Sequence, residues 1–423
     1  MRHLGHMVAL LVGATAFPTS MRAQSAPVDT LTLEQALAAG QAANARLLLS
    51  RIDERTASTR VAEARGALLP DVSVQGRLHD GAPDAYATGD GLLVLAVDQP
   101  LYDGGLRRAG VRSARAEAAA TGAGYRVDAR DVELQIRLEY ASILATEHEI
   151  RILESGVERL ATYVDAIRAR SGGGEGVGGD LLRASSRLAN ERARVSSYRR
   201  QLSELRQQFN DLIGRDPGAP LRLAPLPSPE PSPEAVPDEA WLHTPDVDRA
   251  LAEQEVARWQ LDQVRAERRP HLSLHADAGT QPLLGSDSGA GLNDGEGPGA
   301  ALTLNLSLPL WNGGAISARS QRAELAVQRA AGEAERVRRQ ARLEYATARS
   351  DLRHRLDEIA LRREAVPVAR DSYLQAESEY RGGAGSALEV LDAFTSWLDA
   401  RLAAEETLFG YRAAEARLIR WGT

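Results

Sequence analysis

The chain has no cysteine in 423 residues. That excludes disulfides, thiolate metal sites, cysteine nucleophiles and an acylated N-terminal cysteine as a membrane anchor. Aromatic residues are scarce at 4%, against 26% charged residues interspersed with abundant alanine. Small side chains of this kind suit closely packed helix seams better than a thick globular core. Charge of one sign does not dominate either. A net charge of -7 gives no general electrostatic reason to bind nucleic acid, and the arginines between 336 and 342 lie among Glu333, Glu335 and Glu344 as on a solvated helix face.

Long apolar runs are also missing. Met7 to Phe17 is too short to cross a bilayer as a helix, and no other run approaches the required length of roughly 20 residues. With Arg2 and His3 before it and small, polar residues through Ala26 after it, that run has the form of a secretory signal peptide over residues 1–25. Any span of a membrane after export must then be made of strands. Enzyme signatures are lacking: there is no P-loop, no His-Glu-x-x-His and no Gly-x-Ser-x-Gly, and the eight histidines have no compact ligand spacing. No catalytic residue, cofactor or metal site is expected. The glycine-rich stretch Gly285 to Gly297 lacks both the repeated nonapeptide and the helix-loop-helix spacing of calcium loops.

What the chain does contain is one unit written twice. Leu93 to Gly105, ending Pro100-Leu101-Tyr102-Asp103-Gly104-Gly105, returns as Leu302 to Gly314, ending Pro309-Leu310-Trp311-Asn312-Gly313-Gly314, at an offset of 209 residues. Arg65 to Val74 is echoed by Arg265 to Leu274, Leu138-Glu139-Tyr140-Ala141 by Leu343-Glu344-Tyr345-Ala346, and Asp180 to Ala184 by Glu389 to Ala393. Two homologous halves follow, 26–216 and 241–423, joined by a Pro-rich linker at 217–240 expected to run over the surface.

Each half supplies two segments of period-two alternation, near 71–79 and 92–99, then near 271–279 and 301–309; the cleanest is Leu302, Leu304, Leu306, Leu308 and Leu310 against Thr303, Asn305, Ser307 and Pro309. Their lengths match tilted transmembrane strands. Four strands cannot close a barrel, and open edges in lipid leave backbone groups unsatisfied, so several chains must share one. Two chains would make eight strands with a filled interior; three would make twelve with room for a channel, the economical choice. The connections at 80–91 and 279–300 are glycine-rich and polar, as exterior loops are.

Helical runs from Gly105 to about Arg170 and from Gly314 to about Tyr380 would extend about 100 Å each. Shorter helices are expected at Thr32 to Leu68, Gly179 to Leu212, Pro245 to Arg268 and Ser386 to Ile419. Pro100 and Pro309 cannot donate to a ladder, Gly104, Gly105, Gly313 and Gly314 permit a sharp turn, and Tyr102 and Trp311 suit a polar-apolar boundary, so these motifs should convert strand to helix. The stretches 171–180, with Gly173 and Gly176, and 380–386, with Gly383 and Gly385, read as reversals at the far end.

With Leu31 to Leu37, the Leu-Pro and Arg-Pro strand entries, both Pro-Leu-aromatic-Asp/Asn-Gly-Gly turns and Glu389-Val390-Leu391-Asp392-Ala393 in this order, the chain resembles the outer-membrane efflux protein family, the TolC-like channel-tunnels. The resemblance implies a mixed α/β membrane protein: duplicated strand-helix halves, a shared trimeric twelve-stranded β-barrel, and a long periplasmic α-helical barrel below it. It implies a passive exit duct of a tripartite efflux pump or type I secretion system in the outer membrane. The partners would be two further copies, outer-membrane lipid, a periplasmic adaptor and, through it, an inner-membrane transporter. The glycine reversals would form the adaptor-docking tips. Glu389 and Asp392 match acidic entrance positions, Asp180 the acidic residue of the first-half tip, and Tyr380 a tyrosine used in closing the entrance. The basic residue that pairs with them in some relatives is replaced by Gly385, leaving Arg381, Arg183 or Arg170 to substitute. The rival reading is a soluble periplasmic coiled-coil adaptor or structural protein, although adaptors carry β-rich domains around a single hairpin.

Overall fold

A computed structural model describes residues 30–79, 90–171, 178–227, 239–279 and 299–421. The segment expected to be a signal peptide, both inter-strand loops and the first glycine reversal, with Gly173 and Gly176, lie outside the described residues. Among the described residues no helix is long and apolar enough to cross a membrane.

The chain enters through a capping box. The Thr32 hydroxyl accepts from the Gln35 amide while the Gln35 side chain accepts from the Thr32 amide, opening α1 (Leu33–Ala43). The single helix expected from Thr32 to Leu68 is in fact two, α1 and α2 (Ala45–Gly66), because Asn44 between them is extended at φ -64°, ψ 125°. Its side-chain oxygen caps α2 by accepting from Arg46 and Leu47, and its NH2 donates 3.0 Å to the Leu212 carbonyl. A buried polar side chain that satisfies three backbone groups outweighs one continuous turn of helix.

Strands β1 (Asp71–His79), β2 (Asp90–Tyr102), β3 (His271–Gly279) and β4 (Gly299–Ser307) form one antiparallel sheet in the order β1-β2-β3-β4. The register sets Asp71 opposite Asp98, Asp98 opposite His275 and His275 opposite Thr303, so one face carries polar residues. On the other face Val72, Val74, Leu93, Leu95, Leu302, Leu304 and Leu306 are all exposed.

Two strand boundaries differ from expectation. The second strand runs on to Tyr102, so Pro100 and Tyr102 belong to its last residues, across a register shift, and only Asp103 to Gly105 turn the chain. The fourth strand spans 299–307 rather than 301–309, leaving Pro309 and Trp311 outside it. The reason is the number of neighbours. Residues 99–102 of β2 pair with β3 alone, whereas their counterparts after Ser307 lie at a sheet edge.

Below the sheet run α3 (Leu106–Ser171) and α6 (Ala315–Arg381), each about 100 Å long at 1.5 Å per residue. The second passes through Pro367 without interruption. Helices α4 (Gly178–Leu212) and α7 (Ala387–Ile419) return alongside α3 and α6, and α5 (Pro245–Ala266) lies between α3 and α6. One core, with Ile136, Tyr140, Ile143 and Phe209, joins α3 to α4. It also anchors the described first part of the linker at the surface. Leu221 is buried, Leu31 bridges Leu223 in parallel, and the Tyr140 hydroxyl donates to the Ala224 carbonyl at 2.6 Å.

Candidate functional site

Two regions concentrate the residues singled out above. The first is the strand-to-helix turn. Gly104 and Gly105 have φ of 64° and 93°, and Gly313 and Gly314 have 64° and 83°, left-handed values that disfavour any side chain. Asp103 closes the first turn, accepting from Gly105 N at 2.9 Å and Arg107 N at 3.0 Å and so capping α3. Gly104 is further held by Arg269, the residue before Pro270, whose guanidinium donates to the Gly104 carbonyl. At the second turn the Ala315 amide donates to the Asn312 carbonyl, and Leu310 and Trp311 are each 88% exposed.

The second region is the reversal between α6 and α7. Gly383, at φ 79°, ends α6; the amides of Gly382, Ala384 and Gly385 donate back to Ser378 and Glu379 carbonyls. A Cβ at Gly385 would sit 3.2 Å from Glu379 Cβ and Tyr380 N, tighter than ordinary contact, so the reversal is closely packed there. Ser386 then starts α7 with a second capping box. Its hydroxyl accepts from the Glu389 amide, and the Glu389 carboxylate accepts from the Ser386 amide at 2.7 Å. These backbone and hydroxyl hydrogen bonds from Ser386 hold the Glu389 carboxyl below the usual carboxylate range. Ser386-Ala387-Leu388-Glu389 is a legible Ser-x-x-Glu pattern that the reading of Glu389 as an acidic entrance position passed over.

Glu389 and Asp392 share the exposed face of α7, with Val390, Leu391 and Phe394 buried behind them. Asp180, at the start of α4, pairs with Arg183 at 3.5 Å. Tyr380 meets Tyr163 of α3 edge to face at 5.7 Å. Burial pushes the Tyr163 hydroxyl up, and Tyr380 and Asp180 push it the same way, so Asp180, Tyr163 and Tyr380 form one neighbourhood. Of the candidate arginines, Arg381 pairs with Glu377 on its own helix and Arg183 pairs with Asp180 on its own.

Sequence reasoning missed the aromatic cluster above this tip. Tyr373 stacks on Trp397 at 5.5 Å, Phe394 packs edge-on to both, and Arg159 and Arg401 each approach the Trp397 ring, at 5.1 and 5.2 Å. The three rings join α6 to α7 across the reversal, and Arg159 ties them to α3 from more than 200 positions away, so no local pattern announces the cluster.

The family model "outer membrane efflux protein" matches residues 33–215 and 236–421. The outer membrane efflux protein BepC of Brucella suis is 23% identical over 381 residues, covering 89% of this chain and 81% of that protein. Outer membrane protein TolC of Escherichia coli K12 is 22% identical, covering 87% of this chain and 77% of its own. The crystal structure of the outer membrane protein VceC from Vibrio cholerae superposes with a TM-score of 0.80 at 20% identity, covering 92% of this chain and 96% of that one.

Proposed function

The chain belongs to the outer membrane efflux protein family, and from that premise we propose that three copies close one twelve-stranded barrel in the outer membrane above a periplasmic helical tube. Like its family it is a passive outer-membrane efflux channel, not an enzyme, and its drive comes from an inner-membrane transporter reached through an adaptor. The observation that carries the shared barrel is the sheet itself. It has one apolar, exposed face and two edges, β1 and β4, without a partner strand among the described residues. Such edges are costly in lipid and are removed by pairing with further copies.

Glu389, Asp392, Asp180 and Tyr380 are proposed to line and close the periplasmic entrance, and the reversals carrying Gly173, Gly176, Gly383 and Gly385 to receive the adaptor. Pro100, Tyr102, Gly104 and Gly105, with Pro309, Trp311, Gly313 and Gly314, would mark the barrel-to-tube transition. Three copies of Glu389 and Asp392, one helical turn apart, would stack two acidic rings that attract cations.

Conductance of the detergent-purified oligomer in a planar bilayer tests this. Glu389→Gln with Asp392→Asn retains the capping geometry, since glutamine serves in a capping box, while removing the charge. The expected result is discrete, cation-preferring conductance in the native protein and a loss of that preference in the variant. Well-folded protein that neither inserts nor conducts would return the chain to the adaptor reading.

A further inference from the structure

The internal repeat describes a contact that one copy makes once and leaves unmade a second time. Turn Asp103 to Gly105, after β2, is covered by Arg269, the residue that leads into β3; a Cβ on Gly104 would lie 2.5 Å from Arg269 Cβ. Turn Asn312 to Gly314, after β4, has matching glycine φ values, yet a Cβ on Gly313 or Gly314 would meet nothing within 4 Å among the described residues. In the repeat the counterpart of Arg269 is Leu69, which leads into β1 through Pro70 and is 65% exposed at the opposite edge of the sheet. The helices show the same asymmetry. Helix α5 packs on both α3 and α6, whereas its counterpart α2, also 22 residues long, packs along α3 and leaves Leu49 and Ile52 exposed, as α6 leaves Leu325 and Leu343.

We infer that β4 of one copy pairs with β1 of the next in the register that β2 and β3 already show within the chain, and that Leu69 of that next copy covers the Gly313-Gly314 turn. The inference rests on the multi-chain barrel proposed above and specifies its seam residue by residue. Within the chain Asp98 faces His275, Gln99 faces Leu274, Pro100 faces Ser273 and Tyr102 faces Leu272. Advancing the first member by 209 and moving the second back by 200 sets Ser307 opposite Gln75, Leu308 opposite Val74, Pro309 opposite Ser73 and Trp311 opposite Val72. Ser307 and Gln75 then form a polar pair, and Leu308 with Val74 and Trp311 with Val72 form apolar ones, while Pro309, which has no amide proton to donate, stands opposite Ser73 as Pro100 stands opposite Ser273. A one-residue slip would turn Leu308 and Val74 to opposite faces. The seam also accounts for the early end of β4: residues 308–311 are the counterparts of 99–102, which are strand because β3 is beside them.

Native absence of cysteine makes the test direct. Directly opposed residues in an antiparallel pair have Cα atoms about 4.5–5.5 Å apart, within disulfide reach, whereas diagonal neighbours at about 7–8 Å are not. Ser307→Cys with Gln75→Cys, oxidised in outer-membrane fractions by dioxygen with copper-phenanthroline, is expected to convert most chains to covalent dimers and trimers. Ser307→Cys with Ser73→Cys should leave them monomeric on a denaturing gel. To allow for a double variant that fails to fold, chains carrying only Ser307→Cys are also co-expressed with chains carrying only Gln75→Cys, and these should yield dimers alone. Cross-linking through Ser73 in place of Gln75 would overturn the register while leaving the shared barrel intact. No cross-link in either pair from an oligomer that sediments as a trimer would overturn the seam itself. Monomeric sedimentation in mild detergent would overturn the shared barrel on which the seam depends.

Discussion

Asn44 shows how one side chain sets the geometry of an entire end of the molecule. By capping α2 and donating to the Leu212 carbonyl it joins the first helix break to the end of α4. Asn44→Ala removes the cap and leaves a buried carbonyl short of a partner, a loss of about 2–3 kcal/mol. The expected outcome is a lower thermal midpoint by circular dichroism, with assembly and conductance retained at low temperature. Glu149 on α3 makes a different kind of prediction. Burial, with Glu405 and Glu406 nearby, raises its carboxyl to about 7. A carboxyl raised on folding binds its proton more tightly in the folded state. Stability therefore falls as pH rises from the ordinary carboxylate range through about 7 and levels off above it. Glu149→Gln should flatten that dependence and stabilise the protein at pH 8 by about 1 kcal/mol once solvent screening of this half-buried group is allowed for. Thermal midpoints at pH 5.5 and 8 for both proteins check this.

Among the elements, α6 ends in a defined reversal. At the end of α6 a left-handed Gly383 and the Ser386-Glu389 capping box turn the chain within a few residues, so α7 starts in a defined direction. What holds α7 against α3 and α6 is the Tyr373, Phe394 and Trp397 cluster with its flanking arginines. Trp397→Ala removes the shared ring and should cost about 3–5 kcal/mol locally. Since the tip residues sit one or two turns beyond this cluster, the variant is expected to show faster proteolysis at the α6-α7 reversal and a higher resting conductance. An unchanged digestion pattern would mean that the cluster does not hold the tip.

At the scale of the whole molecule, the alternation of Leu302, Leu304 and Leu306 with Thr303, Asn305 and Ser307, the duplicated glycine turns and the lengths of the helical runs are legible in the sequence alone. Each depends on a local period or on backbone chemistry that a residue carries with it, whatever lies around it. The family resemblance came from the same local signals in order. The Asn44 break, the extension of β2 through Pro100, the anchoring of the linker and the aromatic lock are not legible there. In each of them the deciding partner lies far along the chain: Leu212 for Asn44, β3 for residues 99–102, Tyr140 for Ala224 and Arg159 for Trp397. Period and turn chemistry are properties of neighbours in sequence, and they prescribe which elements form and how often. Where an element ends, which edge stays open and what covers a turn depend on neighbours in space, and those exist once the halves have packed together.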